Sequence, residues 1–180
     1  MKRMVLLVIF FFFIATWTFA APPRYVQAIH DASRSVNVTD DFYAGMTAQE
    51  FNASVDRKLI SSGWKREKFP AWLGKCYTKV IDNDVMQGIS YTAYGEKISS
   101  YAECFYVKSQ SIAQEMYKMA YVNFSSIAGQ PETIATDGDN IVWEVENRSM
   151  FVQLICAENT EKNSVYPYVV KIIRSIRNFE

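Results

Sequence analysis

The chain has 180 residues, and its 19 basic side chains balance 19 acidic ones, so the formal net charge is zero. That balance argues against a nucleic-acid backbone or an anionic membrane surface as partner. Aromatic residues make up 15% of the chain, while one His (His30) and three Cys leave a conventional catalytic zinc site without its usual ligands.

Lys2 and Arg3 open the sequence, and the run from Val5 to Trp17 is apolar except for Thr16. Such a run has the length of a signal-peptide core and falls short of the ~20 residues that cross a bilayer. Thr18-Phe19-Ala20 places small residues at −3 and −1. Residues 1–20 are therefore expected to be a signal peptide cleaved after Ala20, the alternative being the same run kept as an uncleaved anchor. The mature protein is expected outside the cytoplasm, periplasmic or secreted, with no stable membrane insertion after cleavage. With no Cys near the cleavage site, lipid attachment there is not expected.

Residues 21–46 lead into the domain. Tyr25, Val26, Ile29 and Val36 mark a short helix, which Asp40-Asp41 and Gly45 break. Residues 47–176 are expected to form a single α+β domain. Thr47-Ala-Gln-Glu50 has the form of a capping box, and Phe51, Val55 and Leu59 repeat at helical spacing. Gly63 supplies the stop, so the spacing predicts a helix over 48–62. Three strand-like runs follow, Lys75–Ile81, Gln87–Tyr94 and Ile98–Val107, joined by Asp82-Asn83-Asp84 and Gly95-Glu96. Short turns of this kind imply an antiparallel meander.

A second helix starts at the capping-box pattern Ser111-Ile-Ala-Gln114 and carries the stripe Ile112, Met116, Ala120, Phe124 and Ile127 until Gly129 and Pro131. Strands are expected over 132–136, 141–146, 150–157 and 165–173, with turns at 137–140 and 147–149. The chain thus reads as two helix-plus-antiparallel-meander units, αβββ–αβββ(β), a possible pseudo-repeat of 47–107 and 109–173, with the helices on one face of the sheet.

Period-2 alternation divides each strand between two faces. Val80, Ile89, Ala93, Ala102, Cys104, Ile141, Trp143, Val145, Val152, Leu154 and Cys156 are expected against the helices. The other face would then collect Tyr77, Lys79, Thr92, Tyr94, Tyr101, Glu103, Phe105, Glu144, Phe151, Gln153 and Tyr168. Tyr gives large contact area at low entropic cost, so Tyr77, Tyr94, Tyr101, Phe105, Phe151 and Gln153 are candidate binding residues. Aromatic residues are also good strand formers, which accounts for part of the pattern.

Among the cysteines, Cys76 and Cys104 sit two strands apart in a simple meander, beyond disulfide reach. Cys104 and Cys156 occupy matching places in the two halves and the same expected face, so a Cys104–Cys156 disulfide is expected, with Cys76 unpaired; another strand order would reverse this. Asn37, Asn52, Asn123 and Asn147 head glycosylation sequons, Asn123 awkwardly inside a helix. Asp137-Gly-Asp-Asn140 lacks the closing Glu of a calcium loop and reads as a turn. A catalytic Cys or Ser would have to recruit His30, so no catalytic residue, metal or cofactor is expected.

In architecture the pattern resembles the β-lactamase-inhibitor-protein fold, two helix-plus-antiparallel-sheet modules in tandem that bind their target through an aromatic-rich concave sheet. Gly45-Met-Thr-Ala-Gln-Glu50 and Gly129-Gln-Pro131 are similar to the Gly-Met-Thr and Gly-x-Pro signatures of small outer-membrane assembly lipoproteins of the SmpA/OmlA type, although the lipid-bearing Cys of those proteins is missing. The resemblance implies a non-enzymatic, exported protein-binding module: an inhibitor, an immunity-type factor or an envelope assembly factor. The alternative expectation is a carrier of a small apolar ligand, with its pocket between helices and sheet.

Overall fold

A computed structural model describes residues 21–34, 47–67, 76–94, 97–131, 133–134, 140–145, 150–160 and 164–176, some of them by backbone alone. The segment 1–20 expected to be a signal peptide, and residues 137–139 and 147–149 of the two expected turns, lie outside these residues.

Three helices and eight strands are described. Helix α1 spans Arg24–Ser33, α2 Ala48–Ser61 and α3 Gln110–Ala128. The strands are β1 (Lys65–Glu67), β2 (Cys76–Val80), β3 (Val85–Tyr94) and β4 (Lys97–Val107), then β5 (Thr133–Ile134), β6 (Asn140–Val145), β7 (Met150–Glu158) and β8 (Tyr168–Ile176). The fold is mixed α+β, as expected. All eight strands join one antiparallel sheet in the order β1-β2-β3-β4-β8-β7-β6-β5. Each run of four strands is a meander, and the two runs meet where β4 pairs with β8 at the centre. Short strands, β1 and β5, close both edges, which leaves few unpaired backbone groups as a template for further strands.

The helix ends show the local chemistry. At the start of α2 the Thr47 hydroxyl accepts from the Glu50 amide, and the Glu50 carboxylate accepts from the Thr47 amide. This is the capping box expected from sequence, an arrangement typically worth about 1 kcal/mol. At the other end Gly63 takes φ 82°, the Gly63 amide donates to Ile60 O and the Trp64 amide donates to Leu59 O. These paired bonds form a Schellman motif, and its positive φ favours glycine. The second expected capping box does not form. Helix α3 begins two residues earlier, with Ser109 rather than Ser111 as N-cap, and the Ser109 and Ser111 hydroxyls bond each other instead, 2.7 Å apart. At the β2–β3 turn Asp82 Oδ1 accepts from the amides of Asp84 and Val85 and fixes the hairpin.

The core lies between the sheet and the pair α1–α3. Ala113, Met116, Ala120 and Phe124 on α3 are fully buried. They meet Ile29 and Ala32 from α1 and Val85, Phe105, Val107, Val152, Leu154, Val170 and Ile172 from the sheet. Burying each of the larger apolar side chains contributes about 1.5–3 kcal/mol. Ile127, placed on the buried stripe by its spacing, is exposed; the stripe turns through Ala113 instead. The Tyr25 hydroxyl donates to Glu115, and Asn123 Nδ2 donates to the Ser33 hydroxyl, so α1 and α3 run side by side in the same direction. The Asn123 sequon therefore has its amide engaged at a helix–helix contact. Helix α2 lies over the β1–β2 edge on the same side of the sheet, where Asp56 bonds the Tyr77 hydroxyl and pairs with Arg66.

Candidate functional site

Residues opposite each other in an antiparallel ladder share a sheet face. Ile89 stands opposite both Tyr77 and Glu103, Gln87 opposite Phe105, and Glu103 opposite Ile172. The helix side therefore carries Tyr77, Lys79, Gln87, Ile89, Tyr101, Glu103, Phe105, Val152, Leu154 and Cys156. This inverts the expected face for β2 and β4 and keeps it for β3 and β7. Tyr77 and Phe105 are completely buried, and Tyr101 is half-buried on the same side opposite Arg174. These three candidate binding residues accordingly do not line an open surface. Gln153 does lie on the opposite, helix-free face, which none of the described helices covers, half-buried opposite Ile173. Tyr94 and Phe151 pair with Lys97 and Ser175, and their side chains lie outside the described set.

The helix-free face is made of different residues. Ladder rows across it read Thr78–Gly88–Cys104–Lys171–Ile155 and Cys76–Ser90–Ala102–Ile173–Gln153. A third row runs Val80–Met86–Tyr106–Val169–Ala157. Among the described side chains of β2, β3, β4, β7 and β8 on this face, Lys171 is the one charged group. Val80, expected in the core, is 62% exposed here. Tyr106 folds across Gly88, where an added Cβ would sit 2.9 Å from its ring. The glycine thus leaves a shallow seat that the ring fills.

This placement also decides the cysteines. Cys104 lies on the helix-free face and Cys156 on the helix side, with β8 between their strands. Two strand spacings, about 9.6 Å, together with opposite side-chain directions, exceed disulfide reach. No disulfide forms, which corrects the expected Cys104–Cys156 bridge. β3 likewise separates Cys76 from Cys104. Burial pushes the Cys104 thiol up to about 11 and raises that of Cys76, the reverse of nucleophile activation. Both lie across the sheet from His30 on α1, whose Nδ1 is 3.9 Å from Asp31. Iodoacetamide in denaturant without reductant is expected to add three labels per chain, whereas the folded protein should protect Cys104. An unreduced peptide joining Cys104 and Cys156 would refute the assignment.

On the helix side, a cleft of about 610 Å³ opens between α1 and strands β2–β4. Its floor is Gln87 and Glu103, and Arg24, Asp31 and Lys79 stand around it. Glu103 Oε2 accepts from Arg174 Nη1 at 3.2 Å, and the same guanidinium donates to the Ala32 carbonyl in the last turn of α1. Burial pushes the Glu103 carboxyl up, and the Arg174 charge partly offsets this. Arg174 also lies over the Phe124 ring, 5.9 Å from its centroid. Lys79 Nζ donates to the Ser62 carbonyl at the end of α2, 3.0 Å away. A second groove, about 420 Å³ and mainly apolar, runs along the outer side of α1 and α3 past Val26, Met119 and Val122. Among the described residues no group of His, Cys, Asp and Glu is placed to hold a metal ion. No described helix is long and apolar enough to cross a membrane.

The cleft was missed in the sequence because Glu103 and Lys79 read as outward-facing charges. The signal that could have found it is Arg174, a charged residue inside the otherwise apolar-rich run Tyr168–Ile176.

Comparison of the chain with models of known families, with characterised proteins and with solved structures gives no match.

Proposed function

We propose that this is an exported, non-enzymatic protein-binding module whose docking surface is the helix-free face of the sheet. One observation carries the reading: across the strands β2, β3, β4, β7 and β8 that face bears a single charged side chain among those described, Lys65 and Glu67 standing at its margin on the edge strand β1, with Met86, Tyr106, Ile155 and Ile173 partly exposed on it. A sheet face that meets water normally alternates charged and polar residues outward, and depletion of charge with aromatic and Met enrichment is the composition of interface cores. The partner is an envelope or secreted protein, in keeping with the export signal read at residues 1–20. The two four-stranded meanders meeting at β4–β8 are compatible with a tandem pair of units, the arrangement that the resemblance to the β-lactamase-inhibitor-protein fold implies. The surface used, however, is this one rather than the Tyr77–Phe105 face. A carrier of apolar ligands suits the charged cleft under α1 poorly.

The test is affinity capture from an envelope extract with three baits: the purified protein, Ile173→Glu on the helix-free face, and Val122→Glu on the exposed outer side of α3. A partner held by the first and third baits and released by Ile173→Glu is expected, the loss at a hot spot being about 2 kcal/mol or more. All three should melt at the same temperature. Equal capture by Ile173→Glu would place the docking surface elsewhere.

A further inference from the structure

We propose that the protein docked on the helix-free face presents a carboxylate, an Asp or Glu ringed by apolar side chains, to the ammonium of Lys171 at the middle of that face. This partner chemistry rests on the docking reading above and names what the surface recognises.

The first observation is that Lys171 has no counter-charge of its own. It stands opposite Cys104 on β4 and Ile155 on β7, with Val169 and Ile173 two residues away on β8, and all four are uncharged. Its side chain is half-buried, and the ammonium makes no ion pair or hydrogen bond among the described residues. It lies close enough to Cys104 to favour the thiolate there, so it stays over the sheet. The nearest described carboxylate on this face is Glu67 on β1, four strands away, and its Oε1 already accepts from the Thr78 hydroxyl at 2.6 Å.

The second observation is where the charge stands. A lysine at the rim of an interface escapes burial by extending its ammonium into water. Lys171 has no rim within reach. β8 is the fifth of eight strands, so Lys171 is about 14 Å from one edge strand and about 19 Å from the other. Along β8 (Tyr168–Ile176) it is about 10 Å from one end and about 17 Å from the other. A stable interface covers about 800 Å² on each partner, a patch roughly 30 Å across. A patch that takes in Met86 on β3 and Ile155 on β7 takes in Lys171, whose strand lies between theirs.

Covered by an apolar surface, the ammonium would lose its hydration and gain nothing, and buried charges are stable only when paired. The face holds no described anion within reach, so the anion comes from the partner. Neutral carbonyls would satisfy the three N–H donors and leave the charge uncompensated. The apolar ring around the carboxylate follows from what surrounds Lys171, since Ile155, Val169 and Ile173 are matched by apolar contacts.

The test uses the purified protein as bait in an envelope extract, beside Lys171→Met, Lys171→Glu and Met86→Glu. The last lies two strands from β8 and reports on the docking face without touching Lys171. Lys171→Met keeps the apolar stem and removes the charge. Against a partner carboxylate it leaves that group stranded, and affinity should fall about 30-fold or more. Against a wholly apolar partner it removes an unpaired charge, and affinity should rise. Lys171→Glu sets like charges together and should abolish capture. A water-soluble carbodiimide, which condenses an ammonium and a carboxylate in contact, should yield a peptide joining Lys171 to an Asp or Glu of the captured protein, read by mass spectrometry. Equal or tighter binding by Lys171→Met overturns the proposal and leaves the docking reading standing if Met86→Glu releases the partner. Weaker binding without the joined peptide assigns the ammonium to neutral acceptors and overturns it too. No capture by any bait, or capture undiminished by both Met86→Glu and Ile173→Glu, removes the docking reading and this one with it.

Discussion

Phe105→Ala is expected to cost about 3–5 kcal/mol of folding stability, a large part of the total for a domain of this size. Phe105 is completely buried and packs with Val107, Phe124, Leu154 and Val170 in the core between the sheet and α3. Truncation opens a cavity that the surrounding strands cannot collapse into, because β4 is held on both sides by β3 and β8. Had Phe105 belonged to an exposed binding face, the same change would fall within about 0.5 kcal/mol of neutral. Urea denaturation of the purified variant separates these cases. A midpoint close to that of the unmodified protein would mean that the ring is not in the core.

Arg174→Met is expected to be as damaging, for a different reason, and its cost should depend on pH. Arg174 has a side-chain exposure of 6%, and it is the cation paired with Glu103. Removing one member of a buried pair leaves the other charged and uncompensated, at a cost of about 3–5 kcal/mol. The sign follows from the carboxyl. Burial already raises the Glu103 carboxyl above its ordinary value of 4.5, and Arg174 opposes the rise. Without Arg174 the folded-state value climbs further. A group raised on folding favours the native state below its unfolded value, and that contribution is lost as pH rises through the folded value. The deficit of Arg174→Met should accordingly be smallest below pH 4.5 and grow as the pH approaches about 7. Adding Glu103→Leu removes the orphaned charge and should recover most of the loss at neutral pH. Urea titrations of both variants at acidic and neutral pH test this. A deficit that does not change with pH would show that Glu103 is not the group left stranded.

How much of the site was legible differs from strand to strand. On β7 the pattern was plain. Gln153 marks its own parity, shared with Phe151 and Ile155, as the outward one, and Val152, Leu154 and Cys156 at the other parity face the helices as expected. On β4 it was not, because Tyr101-Ala-Glu-Cys-Phe-Tyr-Val107 has apolar residues at both parities and a charge at one of them. Alternation fixes that two sets exist; when both are apolar it does not say which faces in. Glu103 suggested the outward choice, and the residue that makes the inward one tolerable, Arg174, lies 71 positions further along the chain. β2 misled in the same way. Lys79 looks outward in sequence, but its long stem runs on the helix side and carries the ammonium to the end of α2.

What the sequence determined by itself are the features that local chemistry controls. The α2 capping box, the Gly63 stop, the Asp82 turn, the helix at Gln110–Ala128 and the α+β class all follow from side chains within a few residues of one another. Only the tertiary structure decided the rest. The pairing of β4 with β8, the face each strand turns to α3, the separation of Cys104 from Cys156 and the assembly of Gln87, Glu103 and Arg24 around one cleft all depend on which distant segments meet. Those choices are made by the burial of one shared core between the sheet and two helices, and burial is a property of the whole packed set rather than of any strand alone.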